Sequence, residues 1–315
     1  MKKILANDGM ENAGIKLLEK AGFIVVTDKV SQETLSQSIN ENEYVALTVR
    51  SATQVDKALI DSCPSIRVIA RGGVGMDNID VEYAKKKNIQ VVNTPAASSL
   101  SVAELVIGQL FSMSRSLDES NRDMPVKGNT EFPALKKKYS KGSELRGKTL
   151  GIIGFGRIGQ EAAKIALGIG MKVIAFDPYI ADANLDIEIH GIPKVNVKIK
   201  TNTLDEVLAQ SDFITLHVPG GKVITATEIN KMKKGVMLVN ASRGGVIDEK
   251  DLLAGLSSGH IAHAALDVFE GEPKPNKELL QHAKISLTPH IGGSTEEAQQ
   301  RIGIELAEKL IHFLR

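Results

Sequence analysis

Short apolar segments alternate with helix-length segments along most of the chain. A first series of apolar segments lies at residues 4–6, 23–26, 44–49, 66–70 and 89–93. A second series lies at residues 149–154, 172–177, 213–218, 236–240, 262–268 and 285–288. Continuous apolar strands separated by helices are typical of parallel sheets covered on both faces. The pattern therefore predicts an α/β fold with two parallel-sheet units, Rossmann-like or flavodoxin-like.

Three segments depart from this alternation. Residues 101–117 are predicted to form a long, mostly apolar helix, and residues 121–146 form a polar, lysine-rich stretch without periodicity. Residues 181–202 read as a connection with one short strand at 197–200. A serine or threonine at 294–295 is the predicted N-cap of a final amphipathic helix.

The composition excludes several classes of protein. The chain has 315 residues with a net charge of +1, no Trp and 4% aromatic residues. A nucleic-acid-binding protein usually carries a basic surplus, or aromatic residues that stack on single strands. The single cysteine, Cys63, precludes an intramolecular disulfide and a cysteine-based metal cluster, and we expect no metal site. No apolar run reaches about 18 residues, so we expect a cytoplasmic protein without a membrane or nucleic-acid partner.

Gly154, Gly156 and Gly159 follow an apolar strand in the spacing G-x-G-x-x-G. In dinucleotide-binding proteins the first glycine allows a tight turn, the second lets the backbone approach a pyrophosphate, and the third permits close helix packing. The helix that follows begins near Arg157 and Ile158, and its free N–H groups favour a bound phosphate. The loop is therefore a candidate site for the pyrophosphate of a dinucleotide.

Asp177 ends the next apolar strand, eighteen residues after Gly159. A carboxylate at this place accepts hydrogen bonds from the adenosine ribose hydroxyls and repels a 2′-phosphate. The combination predicts NAD as the cofactor in preference to NADP. The alternative is a packing loop followed by a surface aspartate, and the order of strand, helix and acid favours the cofactor site.

Polar or ionisable residues follow other strands of the second series. They are His217 with Val218 and Pro219, Ala241 and Ser242 with Arg243, Asp267 with Glu272 shortly after it, and His290. Ligands bind beyond the carboxyl ends of parallel strands, so these residues are candidates for chemistry. The structural alternatives are a histidine satisfied in a turn, an ion pair between Arg243 and Asp248, and a solvated carboxylate at Glu272. The joint placement of these residues on one sheet favours the catalytic interpretation.

The stretches NASRGGVIDEKDLL, AALDVFEGEP and LTPHIGGSTEEAQ resemble signatures of the D-isomer-specific 2-hydroxyacid dehydrogenase family. The stretches VRSAT, GVGMDNID and NTPAASSLSVAELVIG resemble the branch of that family that oxidises 3-phospho-D-glycerate. The similarity covers nearly the whole chain, with the motifs in the family's order. Two positions depart from the pattern: Ser98-Ser99 stands where that branch often has Asn-Ser, and Gly220 replaces a leucine.

The resemblance implies a role for each of three residues. Arg243 would bind the substrate carboxylate, His290 would be the general acid and base, and Glu272 would be the partner of His290. Hydride transfer at carbon must be coupled to proton transfer at the hydroxyl oxygen, and imidazole is suited to this near neutral pH. A nearby carboxylate favours the imidazolium, and a guanidinium can hold a carboxylate with two parallel hydrogen bonds.

The resemblance also implies contacts with the cofactor and the substrate. The cofactor residues are Gly154, Gly156, Arg157, Ile158, Gly159, Asp177, His217, Val218, Pro219, Ala241, Ser242, Asp267, Gly292 and Gly293. The substrate residues are Arg50, Arg71, Gly72, Gly73 and Val74, together with Arg243 and His290. Glycines after a strand let backbone N–H groups face a carboxylate. Arg50 and Arg71 would meet a substrate phosphate, and the alternative is that each pairs with a surface acid.

The resemblance further implies two domains with the active site in a cleft between them. Residues 1–98 and 287–315 would form a discontinuous substrate-binding lid domain, and residues 99–286 would form the NAD-binding domain. A homodimer through the NAD-binding domains is implied, with helix 101–117 contributing, although that helix could equally be intrachain core. Lys136–Lys138 would lend charge across the dimer or form a solvated face. The extra C-terminal regulatory domain of many relatives is not expected, nor is feedback inhibition by serine through it.

The implied activity is oxidation of 3-phospho-D-glycerate to 3-phosphohydroxypyruvate with NAD, which leads into serine biosynthesis. The alternatives are a reductase of glyoxylate, hydroxypyruvate or another 2-keto acid, and a non-enzymatic NAD-sensing protein similar to the family's corepressors. Arg50 and Arg71 favour a phosphorylated substrate. Formate dehydrogenase is disfavoured, because glutamine is typical there at the position of Glu272.

Overall fold

The computed structural model describes all 315 residues, and the chain divides into two compact units. The first unit contains Met1–Ser99 and Gly293–Arg315, and the second contains Leu100–Gly292. These divisions lie one and six residues beyond the expected domain boundaries at 98 and 286. The larger displacement arises because Thr288, Ile291 and Gly292 donate hydrogen bonds to Asp267 of the second unit.

Thirteen strands and thirteen helices follow one another along the chain. The strands are β1 (Lys3–Ala6), β2 (Ile24–Val26), β3 (Tyr44–Val49), β4 (Val68–Arg71), β5 (Gln90–Asn93), β6 (Thr149–Ile153), β7 (Lys172–Phe176), β8 (Asp182–Ile187), β9 (Val195–Lys200), β10 (Phe213–Leu216), β11 (Val236–Asn240), β12 (Ile261–Leu266) and β13 (Ile285–Leu287). The helices are α1 (Asn12–Lys20), α2 (Leu35–Asn42), α3 (Lys57–Ser62), α4 (Val81–Lys86), α5 (Ser99–Arg115), α6 (Leu117–Lys127), α7 (Phe132–Lys138), α8 (Arg157–Gly168), α9 (Leu204–Gln210), α10 (Ala226–Lys231), α11 (Glu249–Ser258), α12 (Lys277–Gln281) and α13 (Glu296–Leu314).

Each unit contains one open parallel sheet. The first sheet has five strands in the order β2-β1-β3-β4-β5, and the second has six in the order β13-β12-β11-β10-β6-β7. In both sheets the strand order reverses next to the first strand of the unit, between β1 and β3 and between β6 and β10. Ligands of open α/β sheets bind at such a reversal, beyond the carboxyl ends of the strands. The predicted α/β fold with two parallel-sheet units is confirmed.

Both faces of each sheet are buried, which explains the continuous apolar segments. In β1, Ile4 packs in an apolar cluster with α13, whereas its neighbour Leu5 packs in a separate cluster with α2. In β6, Ile152 and Ile153 likewise belong to two different clusters. Successive side chains of a strand point to opposite faces, so a strand buried on both faces has no place for a polar alternation.

The last helix, α13, packs against the first helix of the chain. A Cβ atom on Gly14 would lie 2.3 Å from the carbonyl oxygen of Gly303, so no side chain fits between α1 and α13 there. Thr295 is the N-cap, and its side chain accepts a hydrogen bond from the N–H of Ala298. This packing places residues 293–315 in the first unit.

Residues 121–146 contain most of α6 and all of α7, which the sequence pattern did not predict. No residue of α6 is buried, so the helix has no apolar stripe that a periodicity could show. Asp123 joins the two helices, because its Oδ2 accepts hydrogen bonds from Lys138 Nζ at 2.8 Å and from the Tyr139 hydroxyl at 2.7 Å. These two hydrogen bonds, that of Lys138 first, lower the pKa of Asp123 to about 2.

Residues 182–200 form an antiparallel hairpin, where a single short strand was predicted. β8 and β9 pair from Asp182 with Lys200 to Ile187 with Val195. Leu185 is fully buried in the same apolar cluster as Ile152. None of the helices of the chain has the length and apolar character needed to span a bilayer.

Cys63 provides a test of the packing in the first unit. Its side chain is buried, and burial raises the pKa of the thiol to about 11. Because the thiolate is the reactive form, we expect the native chain to react with Ellman's reagent far more slowly than the urea-unfolded chain. Absorbance of the released thionitrobenzoate measures both rates. Equal rates for the native and unfolded chains would contradict the buried placement of Cys63.

Candidate active site

The glycine loop lies at the reversal of strand order in the second sheet. Gly154 has φ of 93°, and a Cβ atom there would lie 2.4 Å from the carbonyl oxygen of His217. A Cβ atom on Gly159 would lie 2.3 Å from the carbonyl oxygen of Gly154, so this glycine lets α8 approach the loop. Gly156 is different, because a Cβ atom there would meet no heavy atom within 4 Å.

The open space at Gly156 is suited to a phosphate group. Gly156 is the N-cap of α8 and has no side chain that could bond to the first N–H groups of the helix. These N–H groups, which include those of Arg157 and Ile158, carry the partial positive charge of the helix terminus. The loop therefore fits the pyrophosphate of a dinucleotide, with the three glycines in three different roles.

Asp177 is fixed beside this loop by backbone N–H groups. Its Oδ2 accepts a hydrogen bond from the N–H of Phe155 at 2.7 Å. Its Oδ1 accepts from the N–H groups of Tyr179 at 2.8 Å and Ile180 at 3.1 Å. A carboxylate has about four acceptor positions, so these bonds leave room for a ribose hydroxyl at the carboxyl end of β7.

His217 follows β10 and contacts the glycine loop through its backbone. Its N–H donates to the carbonyl oxygen of Ile153 at 2.8 Å, and its ring Nε2 lies 3.1 Å from Thr215 Oγ1. Burial lowers the pKa of His217 to about 4, so the ring is neutral near neutral pH. The side chain of Val218 also reaches the loop, where a Cβ atom on Gly154 would lie 3.2 Å from it. His217 therefore forms an uncharged part of the loop's surroundings.

His290 and Glu272 form a direct pair. The Nδ1 of His290 lies 2.8 Å from Oε2 of Glu272, with side-chain exposures of 51% and 34%. Oε1 of Glu272 accepts a hydrogen bond from the N–H of Phe269 at 2.8 Å, which fixes the carboxylate. A carboxylate at Nδ1 requires a proton on that nitrogen, so Nε2 is the atom available for proton exchange with a substrate.

Asp267 anchors the segment that carries His290. The residue is 4% exposed, and its carboxylate accepts hydrogen bonds from Thr288 Oγ1 at 2.6 Å and from the N–H groups of Ile291 and Gly292 at 2.8 Å. His290 itself has φ of 56°, a left-handed conformation that is uncommon outside glycine. We therefore interpret Asp267 as the anchor of this segment, and its expected contact with the cofactor stays a prediction.

The loop of Arg243 is held by Asn240. The side-chain oxygen of Asn240 accepts hydrogen bonds from the N–H and the hydroxyl of Ser242, and its amide nitrogen donates to the carbonyl of Arg243.

A Cβ atom on Gly244 would lie 1.9 Å from the carbonyl oxygen of Phe269, so the loop packs directly on the residue that fixes Glu272. Arg243, Glu272 and His290 therefore belong to connected loops after β11, β12 and β13.

Asp248, the alternative partner considered for Arg243, has other contacts of its own. Asp248 pairs with Lys222 and caps α11 by accepting hydrogen bonds from the N–H groups of Lys250 and Asp251. Asn240 was not among the predicted site residues. Its position, directly before Ala241 and Ser242 at the end of a strand, is the signal in the sequence that could have identified it.

Arg50 directly follows β3 and Arg71 is the last residue of the neighbouring strand β4, in which it pairs with Val49. A Cβ atom on Gly73 would lie 2.0 Å from Nη1 of Arg71, so the guanidinium lies over this glycine. The N–H of Gly72 donates to the carbonyl of Val49, and that of Gly73 donates to the carbonyl of Arg71 and to Thr94 Oγ1, whereas the expected contact of this loop with a substrate carboxylate stays a prediction.

The remaining predicted residues have ordinary surroundings. Gly292 lies in the second unit and donates to Asp267, whereas Gly293 lies in the first unit and accepts a hydrogen bond from Gln299 Nε2. Within Lys136–Lys138, Lys138 is engaged by Asp123 and Glu119. The expected roles of Gly292, Gly293 and Lys136–Lys138 in ligand binding therefore stay predictions.

A parallel sheet with this glycine loop and acid, and with a histidine–carboxylate pair and an arginine after neighbouring strands, defines the class of nicotinamide-dependent dehydrogenases. Residues 107–292 match the family model "D-isomer specific 2-hydroxyacid dehydrogenase, NAD binding domain". The chain belongs to this family, as the sequence motifs predicted. It is an NAD-dependent D-2-hydroxyacid dehydrogenase, and the predicted cofactor, NAD, is confirmed.

Curated relatives match the whole chain. It is 42% identical to a hydroxypyruvate reductase of Thermotoga maritima, over 99% of this chain and 98% of the relative. It is also 42% identical to a D-3-phosphoglycerate dehydrogenase of Methanocaldococcus jannaschii, over 100% of this chain but 58% of the relative. A D-3-phosphoglycerate dehydrogenase of Bacillus subtilis is 37% identical, and the chain spans 57% of its length.

Solved structures agree with this assignment. A glyoxylate reductase from Paecilomyes thermophila superposes with a TM-score of 0.81 at 28% identity, over 98% of this chain and 94% of that one. A D-lactate dehydrogenase from Treponema pallidum superposes with a TM-score of 0.77 at 28% identity, over 98% and 95%. The names of these proteins refer to different substrates. They therefore define the family and do not identify the substrate of this chain.

The different surroundings of two loop glycines give a test of cofactor binding. Gly156→Ala adds a methyl group to open space at φ of −71°, so we expect little change in thermal stability. It should weaken NADH binding by about tenfold, because the methyl group occupies the approach of the pyrophosphate. Gly154→Ala should instead lower the unfolding temperature, because of its φ and the nearby His217 carbonyl. NADH fluorescence titration and circular dichroism measure the two effects. Unchanged NADH affinity in Gly156→Ala would place the pyrophosphate elsewhere.

Proposed function

We propose that the chain oxidises 3-phospho-D-glycerate to 3-phosphohydroxypyruvate, with NAD as the hydride acceptor. The observation that supports this choice of substrate is the pair of arginines, Arg50 and Arg71, at the carboxyl ends of adjacent strands of the first sheet. A second guanidinium–anion contact, besides that of Arg243, suits a substrate with a phosphate as well as a carboxylate. The relatives named D-3-phosphoglycerate dehydrogenase support the proposal.

In this proposal His290 exchanges the hydroxyl proton of the substrate. Its Nδ1 is held by Glu272, so Nε2 accepts the proton during oxidation and returns it during reduction of the keto acid. The carboxylate of Glu272 stabilises the imidazolium that forms when Nε2 takes up the proton. Phe269, through its N–H, keeps the carboxylate in place during both steps.

Arg243 binds the carboxylate of the substrate in this proposal. Its loop is fixed by Asn240, so a bidentate grip on the carboxylate would orient the adjacent carbon. NAD, held by the glycine loop and Asp177, supplies the acceptor for the hydride of that carbon. His217, beside the glycine loop, is neutral near neutral pH, because burial lowers its pKa to about 4.

A second candidate is reduction of hydroxypyruvate or glyoxylate. The relative named hydroxypyruvate reductase is 42% identical and is matched over 98% of its length, whereas the relatives named D-3-phosphoglycerate dehydrogenase are matched over little more than half of theirs. The same His290, Glu272 and Arg243 would serve this reaction. The two candidates differ in whether Arg50 and Arg71 meet a phosphate.

We further propose a cytoplasmic homodimer, acting in serine biosynthesis and joined through the NAD-binding domains with α5 at the interface. α5 and the start of α6 expose the apolar side chains of Leu100, Phe111 and Leu117, at 41%, 42% and 52%. Such residues are suited to burial against a second copy of the chain. Lys136 and Lys137 lie nearby in sequence and would be candidates for contacts in trans.

The role of His290 is tested by His290→Ala. We expect kcat to fall by about 10²–10⁴, the usual contribution of a positioned acid and base. The dissociation constant of NADH should change little, because the glycine loop and Asp177 are untouched. Steady-state kinetics and NADH fluorescence titration measure the two quantities. A variant with wild-type kcat would overturn the role of His290.

The choice of substrate is tested by a panel of acids. We expect kcat/KM for 3-phospho-D-glycerate to exceed that for D-glycerate and D-lactate, and glyoxylate reduction to be slow. Arg50→Ala and Arg71→Ala should each raise KM for the phosphorylated acid by about tenfold, the usual scale for a lost charge-assisted bond. Absorbance of NADH follows every reaction. Preference for an unphosphorylated acid would exclude the proposed substrate and leave the family assignment intact.

A further inference from the structure

A buried aspartate lies at the reversal of strand order in the first sheet. Asp8 follows β1, and Arg50 follows β3, the two strands between which the order reverses. The side chain of Asp8 is 4% exposed, and Lys29 Nζ lies 4.0 Å from its Oδ1 on a side chain that is 66% exposed. A carboxylate removed from water is costly unless its oxygens accept hydrogen bonds. The groups that donate hydrogen bonds to Asp8 therefore indicate its structural role.

All three hydrogen bonds of Asp8 go to residues 50–53, which we call the arginine loop. Its Oδ2 accepts from the N–H groups of Arg50 at 2.8 Å and Thr53 at 3.1 Å. Its Oδ1 accepts from the hydroxyl of Thr53 at 2.8 Å. A carboxylate only accepts hydrogen bonds, so it suits a loop that presents three donors to one point.

Asn78 holds the arginine loop through its carbonyl groups. The amide nitrogen of Asn78 donates to the carbonyl oxygen of Arg50 at 2.8 Å and to that of Thr53 at 2.6 Å. The N–H and C=O groups of both ends of the loop are therefore bound by two side chains. Asn7 adds a hydrogen bond to Thr53 Oγ1 at 2.9 Å. The backbone from which Arg50 extends is fixed as firmly as the loops of the second unit.

We propose that Asp8 is a positioning residue of the substrate site, which holds the arginine loop so that Arg50 reaches the phosphate of the substrate. This inference rests on the proposed function and assigns to it a residue that does not touch the substrate. The negative charge of Asp8 would oppose a bound phosphate, so its presence here is explained by the hydrogen bonds. A long arginine side chain selects a phosphate only if its backbone is held within a fraction of an ångström.

The experiment compares kcat and KM of Asp8→Ala for 3-phospho-D-glycerate and for D-glycerate. We expect KM for the phosphorylated acid to rise by about tenfold, because the loop loses three hydrogen bonds to a charged group. The kcat for both acids and KM for D-glycerate should stay within about twofold of wild type. Asp8→Asn keeps an oxygen for the N–H groups of Arg50 and Thr53. In this variant KM for the phosphorylated acid should also rise, but by a smaller factor.

The matched control is Asp56→Ala. Asp56 also accepts a backbone N–H with its carboxylate, that of Leu59 at the start of α3, and it has no bond to the arginine loop. Its loss should lower the unfolding temperature without changing the ratio of the two KM values. If Asp8→Ala does not fold, Asp8→Asn and Asn78→Ala carry the test, because each removes bonds of the same loop. An equal effect on both acids, or none, in these variants overturns the inference.

Arg50→Ala separates this inference from the proposed function. If Arg50→Ala raises KM for the phosphorylated acid and Asp8→Ala does not, the inference on Asp8 fails while the phosphate contact stands. If Arg50→Ala is not selective either, the phosphate contact itself fails. The double variant should match Arg50→Ala alone, because Asp8 acts through Arg50. Additive effects of the two substitutions would contradict the proposal.

Discussion

The hydrogen bond between His290 Nδ1 and Glu272 Oε2 is the interaction on which the chemistry of this chain depends. It fixes which nitrogen of the ring carries the proton and leaves Nε2 for a substrate. The bond exists only because two loops after different strands are brought together, one carrying Glu272 after β12 and one carrying His290 after β13. The parallel order of these strands places both loops at the same edge of the sheet.

Buried side chains hold these loops, whereas the side chains of His290 and Glu272 are 51% and 34% exposed. Asp267 binds both sides of His290, through Thr288, Ile291 and Gly292, and Asn240 binds Ser242 and the carbonyl of Arg243. In the first unit, Asp8 and Asn78 bind the loop that carries Arg50. The reacting residues could not perform both tasks, because an acid–base group needs a free atom and an anchor needs all its atoms bound.

Much of the fold and of the candidate site was predictable from the sequence, because the sequence patterns that indicate them are local. The glycines of the loop, the acid at Asp177 and the apolar strands act through the backbone of their own segment, so their spacing is sufficient. The family motifs likewise located Arg243, Glu272 and His290. The helices of residues 117–138 escaped prediction because they bury few residues, and Asp123 joins them through polar contacts that have no periodicity. The hairpin at 182–200 escaped because its pairing depends on long-range register.

The choice of hydrogen-bond partners was the least predictable feature. Asp267 was expected to face the cofactor, and Gly72 and Gly73 were expected to offer free N–H groups. The structure gives all of these groups partners within the chain, because residues distant in sequence, such as Thr288 and Thr94, are brought next to them. A sequence shows that a strand ends in a polar residue, and only the assembled sheet shows which neighbour that residue meets.

The most direct measurement is a crystal structure of the chain with NADH and an unreactive analogue of a 2-keto acid. The account predicts that His290 Nε2 lies about 2.6–3.2 Å from the oxygen on C2 of the analogue, the distance required for proton exchange. Glu272 should remain bonded to Nδ1, with Arg243 on the analogue's carboxylate. An imidazole turned away from that oxygen, with a different side chain in its place, would contradict the account.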